Sequence, residues 1–143
     1  MTGLEDDPSI FGEETCLRRV DRNYPNMFKI DSATGIERPT SAAFKYQNDG
    51  LSVFREKILV ANDLNYRDII LKPGQVVASL HVEQIRSCNG LGVCNDPWPK
   101  GIPDENHKRN AAHALVVGWN SLSKLEAKAH QRFLAKNCQI LDD

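Results

Sequence analysis

Ala112-His113-Ala114-Leu115-Val116-Val117-Gly118-Trp119, continuing at once into Asn120-Ser121-Leu122-Ser123-Lys124-Leu125-Glu126, is the stretch on which the reading of this chain turns. Its first half is a short apolar run, and this predicts a buried strand over 112–119. The second half changes period. Ser123 and Glu126 form a capping box, and Leu122, Leu125, Ala129 and Phe133 recur at helical spacing, so an amphipathic helix is expected over 121–137 with that stripe facing the core.

Working outward, Lys72-Pro73-Gly74 suits a type II turn and launches a second clear strand at 75–82. Asn48-Asp49-Gly50 makes a turn into a short strand, Leu51-Ser52-Val53-Phe54. A first strand is expected from Cys16 to Asp21. Alternation would put Cys16, Arg18 and Val20 on one face and Leu17, Arg19 and Asp21 on the other, so either choice leaves an arginine beside the core. Thr40 to Lys45 predicts a short helical turn capped by Thr40 or Ser41. Residues 55–71 predict a helix at their start and irregular chain later. Two stretches rich in turn formers, 22–39 and 88–110, predict loops, the second with a brief strand at Gly92 to Cys94.

The fold class expected from this order is α+β over residues 16–143: a small, mostly antiparallel sheet with a C-terminal amphipathic helix packed on it. Residues 1–15, acidic and punctuated by Pro8, predict a tail docked at most in part.

Composition narrows the function classes. Eighteen basic and nineteen acidic residues leave a net charge of −1, which supplies no global field to draw in nucleic acid or an anionic membrane. No apolar run approaches the roughly 18 residues of a membrane span. The opening residues lack a basic segment followed by an apolar one, so a cytoplasmic location is expected. Thiols there stay reduced: Cys16 and Cys138 read as small buried hydrophobes, while Cys88 and Cys94, which flank a turn, would pair only in an oxidising compartment.

Three constellations carry chemistry. Cys88 and Cys94 with His107 and His113 follow the order of a zinc finger, but Asp96 to Pro103 is too proline-rich to start the helix such a finger needs. No metal and no cofactor is expected. Arg18, Arg19 and Arg38, with the hydroxyls of Thr40, Ser41 and Ser52, have the chemistry of an anion seat, because guanidinium forks and hydroxyls donate to phosphate or carboxylate. The competing reading has Thr40 or Ser41 capping the turn while the arginines pair with Asp21, Asp31 or Glu37. His113, where the proline-rich loop enters a strand, is an acid, base or ligand candidate. His81 and His130 read as structural and solvated. Trp98, if exposed, would mark a docking surface. Phosphate-loop, dinucleotide-binding and nucleophile-elbow motifs are absent.

Leu17-Arg18-Arg19-Val20, Arg38-Pro39-Thr40-Ser41-Ala42-Ala43-Phe44, Leu51-Ser52-Val53 and Asn110-Ala111-Ala112-His113-Ala114 together resemble an uncharacterised family of small bacterial proteins. That family carries Arg-Arg, Arg-Pro-Ser-Ser-x-x-Phe, Ser-Val and Asn-Pro-Ala-His motifs. The chain departs at Ala111 and Thr40, where the family has proline and more often serine. The resemblance implies positions rather than an activity: Arg19, Arg38, Ser41, Phe44, Ser52 and His113. A weaker likeness links Arg19-Val20-Asp21, Pro25 and Phe28 to ADP-ribosyltransferases, which would set Arg19 on the phosphates of NAD. The paired-glutamate and Ser-Thr-Ser signatures of that superfamily are missing.

The leading expectation is therefore a bacterial binding module, or an accessory component of a multi-gene system such as a defence system. Arg19, Arg38, Thr40, Ser41, Ser52 and His113 would line one anion-binding cleft. A protein partner and a phosphate-bearing small molecule are the expected ligands. An NAD-processing enzyme and a purely structural subunit are the alternatives.

Overall fold

The structure, a computed structural model, describes residues 4–98 and 107–141. In chain order the elements are β1 (Thr15–Asp21), β2 (Phe28–Ile30), β3 (Glu37–Pro39), β4 (Leu51–Arg55), α1 (Glu56–Ala61), β5 (Gln75–His81), α2 (Val82–Arg86), β6 (Gly92–Asn95), α3 (His107–Asn110), β7 (His113–Val117), α4 (Lys124–Asn137) and β8 (Gln139–Leu141). Six strands form one sheet in the order β6-β7-β4-β1-β5-β8, and each neighbouring pair is antiparallel. The expected α+β class holds.

Alternation along β1 sorts the molecule into two cores. Cys16 and Val20 join Leu51, Val53, Leu80 and Val116 on the face covered by α2 and α4. Leu17 joins Phe54 and Val77 on the opposite face, under Leu59 of α1 and Ile69. Asn65 caps the 3-10 turn that carries Ile69 (Tyr66–Ile69) and closes a capping box with Asp68. The strand at 75–82 begins as expected, with Gly74 at a φ of +91° that the turn requires.

Three expectations are corrected. First, the described part of the acidic N-terminal segment is not a loosely docked tail. Asp7 N–H donates to the Val93 carbonyl (2.8 Å), Val93 N–H to the Asp6 carboxylate (2.8 Å), and Ile10 is fully buried. Burying that one side chain contributes about 1.5–3 kcal/mol. Second, the loop at 22–39 contains a two-stranded ribbon, β2 with β3, whose alternation is too short to stand out among turn formers.

Third, α4 has its capping box between Ser123 and Glu126, and Leu122 packs partly against the core. The expected stripe otherwise faces outward: Leu125 is 84% exposed, and Ala129 and Phe133 are exposed too. Ala127, Gln131, Leu134 and Ala135 are buried instead. The polar Gln131 disguises this inner stripe, and it is admitted because its amide donates to the Phe44 carbonyl (3.3 Å). No helix among the described residues is long and apolar enough to cross a membrane. Much of the proline-rich loop, residues 99–106, lies outside the described residues.

Candidate functional site

β1 pairs with β5 along its whole length, but with β4 only through Cys16↔Arg55 and Leu17↔Phe54. Where that ladder stops, Arg18 lies across to β4. Its Nε donates to the Ala43 carbonyl (2.7 Å) and its Nη1 to the Ser52 carbonyl (2.9 Å). Ala43 belongs to the 3-10 turn Ser41–Phe44, so one guanidinium ties that turn to the sheet. Burial, with the neighbouring charge of Arg19 second, brings Arg18 down to about 10. It stays cationic at neutral pH. Among the described residues its partners are neutral carbonyls, and no carboxylate balances it.

On the other face, Ser52 and His113 are diagonal neighbours across the β4–β7 ladder, which pairs Ser52 with Leu115 and Phe54 with His113. Nδ1 of His113 lies 2.8 Å from the Asp96 carbonyl and 3.3 Å from its carboxylate. A carbonyl only accepts, so Nδ1 carries the hydrogen and Nε2 is left as an acceptor. The Ser52 hydroxyl stands 2.5 Å from Nε2 and donates to it. The ring is stacked on Trp98 (3.9 Å, 26°) and meets Phe54 edge-on (5.5 Å).

Burial lowers the His113 pKa from its ordinary 6.5, and the Arg19 charge adds to the effect; Asp96 opposes it through its carbonyl and carboxylate. The sign of the consequence follows from linkage. Below 6.5 the unfolded chain binds a proton that the folded His113 refuses, so this contribution is complete above 6.5 and is lost as pH falls toward the depressed folded value. Asp7, Asp21 and Glu126 are also held low, chiefly by hydrogen bonds from Ser9, Asn23 and Ser123 respectively. Their contributions are lost only in the more acidic carboxylate range. Urea midpoints should therefore fall between about pH 7 and pH 5.5 in the native chain. His113→Gln should flatten that slope, and an unchanged slope would assign it elsewhere.

Arg18, Ser52, Trp98 and His113 line one hollow of about 450 Å³, with Lys45 and Asp49 at its rim. Asp49 is engaged, accepting from Asn120 N–H (2.9 Å). Arg19 shares the sheet face of Ser52 and His113, with its Nε bonded to the Ile69 carbonyl and its guanidinium 5.5 Å from the Phe54 ring. That is the residue the transferase likeness would set on cofactor phosphates.

Arg38, Thr40 and Ser41 line a separate hollow of about 520 Å³ beside Lys29, Arg132 and Lys136, so the six expected positions do not share one cleft. Arg38 pairs with neither an anion nor an acid among the described residues. Its Nη2 donates to the carbonyls of Ala135, Lys136 and Cys138, at 3.0, 2.9 and 2.9 Å, and so closes the C-terminal end of α4. Thr40 caps the 3-10 turn through Ala42 N–H (3.2 Å) and donates to the Asn26 carbonyl. Glu37 pairs with Arg22 (3.2 Å) and Asp21 with Lys72 (3.3 Å), not with the three expected arginines.

His81 is exposed, and His130 bonds the Asn89 carbonyl (2.9 Å). The four cysteines are buried free thiols; burial pushes Cys16 up to about 12 and Cys88 to about 11. The side chain of His107 lies outside the described residues.

Lys45, which lines the hollow, and Asp96, which holds His113 from behind it, both escape sequence reasoning. Lys45 sits in a segment read only as a helical turn, and Asp96 in one read only as loop. The opening of a proline-rich loop immediately before His113 was the available signal, but the hairpin register that sets Asp96 against the imidazole is needed to use it. Comparison of the chain with protein-family models, with curated proteins and with solved structures gives no match.

Proposed function

We infer that the protein is a binding module for a small anionic ligand, held in the hollow lined by Arg18, Ser52, Trp98 and His113. The observation that carries this reading is the Arg18 guanidinium, half-buried at that hollow and partnered among the described residues by carbonyls alone. A cation in such a setting keeps its full charge without a counter-ion, and a phosphate or carboxylate supplies one. Lys45 adds a second charge at the mouth, and Trp98 offers an aromatic wall. The ligand chemistry that fits is an anion borne on an aromatic or apolar body, of which phenyl phosphate is the simplest probe. The Arg38 hollow supports the reading less, because Arg38 is spent on the end of α4.

The test is quenching of Trp98 fluorescence by phenyl phosphate, with Trp98→Phe as the blank that isolates the buried Trp119. Saturable quenching that weakens with salt is expected. Lys45→Glu should weaken binding at least ~10-fold, about 1.4 kcal/mol, without a change in thermal midpoint, because Lys45 is exposed. Arg18→Lys should weaken it similarly, since an ammonium keeps the charge but loses the fork. Quenching that is linear in ligand, or equal in Lys45→Glu, would remove this reading.

A further inference from the structure

We propose that Ser52 is an activated nucleophile and that the hollow carries out acyl transfer on small esters. Three placements support it. The Ser52 hydroxyl is 2.5 Å from Nε2 of His113, and the opposite nitrogen of that ring is fixed by the Asp96 carbonyl at 2.8 Å. A nucleophile, a base in the accepting tautomer and a group that orients the base therefore stand in sequence. The Asp96 carboxylate, 3.3 Å from Nδ1, lies where it balances the imidazolium formed when the base takes a proton. Arg18, which grips the Ser52 carbonyl, also lines the hollow and lends it positive charge, which favours a developing oxyanion. None of this is needed for an inert strand pair, where Ser52 and His113 could be apolar like their neighbours on that face, Phe54 and Leu115.

The chemistry closes on these groups and water. Ser52 Oγ bonds to the ester carbonyl carbon as its proton passes to Nε2 of His113. Collapse of the tetrahedral species breaks the bond to the leaving alcohol, which takes that proton. Water then adds to the acyl-serine, with His113 again accepting a proton and returning it to Oγ, and a carboxylic acid departs. Among the described residues the charged groups acting on the imidazole are Asp96 and Arg19, and Trp98, Phe54 and Ser52 lie against the ring.

This inference rests on the hollow of the preceding section being open to ligands, but not on the charge of the ligand, so the experiment uses a neutral probe. The full chain treated with diisopropyl fluorophosphate at about pH 7.5 should gain one diisopropylphosphoryl group, mapped to Ser52, as fluoride leaves. Ser52→Ala should gain none there. His113→Gln should react at least ~100-fold more slowly, the usual effect of losing a general base. Ser52→Cys supplies a second arm: its thiol should be alkylated by iodoacetamide with a pH midpoint below that of an ordinary cysteine, because His113 takes the proton. Absence of label at Ser52, equal rates in His113→Gln, or an ordinary thiol midpoint in Ser52→Cys would each overturn the proposal. Label at Ser52 in a protein that does not bind phenyl phosphate supports the nucleophile while removing the anion-binding reading. Binding without label does the reverse.

Discussion

Glu14→Ala is expected to cost about 3–5 kcal/mol of stability, a fall in thermal midpoint of roughly 10 °C or more for a domain of this size. Glu14 and Arg55 form a buried, two-pronged pair: Arg55 Nε and Nη2 lie 3.0 and 2.9 Å from Oε1, and Nη2 lies 3.0 Å from Oε2. Their side chains are 6% and 11% exposed. The third arm of Arg55, Nη1, donates to Asn95 (2.8 Å), and Glu14 also accepts from Phe11 N–H (3.2 Å). The pair therefore joins the N-terminal segment, β4 and the end of β6. Truncating the acid strands a guanidinium that is largely shielded from water, and that penalty, more than the lost attraction, sets the size of the effect. The double variant Glu14→Leu with Arg55→Met should recover much of the loss, since the desolvation of both charges disappears with them. A thermal melt in which Glu14→Ala shifts by less than about 3 °C, or in which the double variant is the worse of the two, would refute this account.

The same residues show what could be read in advance and what could not. Strands at Leu51, Gln75 and His113 were legible because β-branched and apolar residues concentrate there between turn formers. The helix after Ser123 was legible because its cap is local. Its buried face was not, because Leu125, Ala129 and Phe133 make a better apolar stripe than the Ala127, Gln131, Leu134 and Ala135 that are used. The face that is used packs Ala127, Leu134 and Ala135 into the core and gives the Gln131 amide to the Phe44 carbonyl, far away in the chain. The acidic opening residues looked unfit for burial for the same kind of reason. Glu14 is buried because Arg55 meets it, and no local pattern announces that.

The candidate site follows this division. Alternation separated Arg18 from Arg19 correctly as residues of opposite faces, yet the end of the β1–β4 ladder, which makes Arg18 the guanidinium of the hollow, is a property of two strands at once. Ser52 and His113 were singled out individually for their chemistry. Their hydrogen bond depends on the register of β4 against β7, and the tautomer of the ring depends on β6, which aligns Asp96. Arg38 and Thr40 were singled out by the same chemical criterion and serve the ends of two helical segments instead. Donor chemistry finds residues that need partners; only the strand pairing tells which partners are already supplied.

The β6–β7 ladder that aligns Asp96 is closed at its other end by a backbone contact, and Gly118→Ala is the substitution that should damage it most. Gly118 follows β7 at φ +105°, ψ −1° and leads into the 3-10 turn that buries Trp119. A Cβ there would lie 2.0 Å from the Gly90 carbonyl oxygen and 3.1 Å from its carbon, both backbone atoms with no rotamer to escape into. The substitution therefore combines an unfavourable φ with a displacement of the turn before β6, and a loss above about 4 kcal/mol is expected. Gly35→Ala separates the two contributions. Gly35 also has a positive φ, +71°, but a Cβ there meets nothing within 4 Å, so it should cost only about 1–2 kcal/mol. Equilibrium urea unfolding of both variants, followed by tryptophan fluorescence, gives the comparison directly. Equal losses would mean that the Gly90–Gly118 approach relaxes freely; a Gly118→Ala loss two or more times larger would show that β6 and β7 are held in register from this end. In that case a folded Gly118→Ala chain should also have a disturbed His113 titration, because Asp96 reaches the imidazole only through the same ladder.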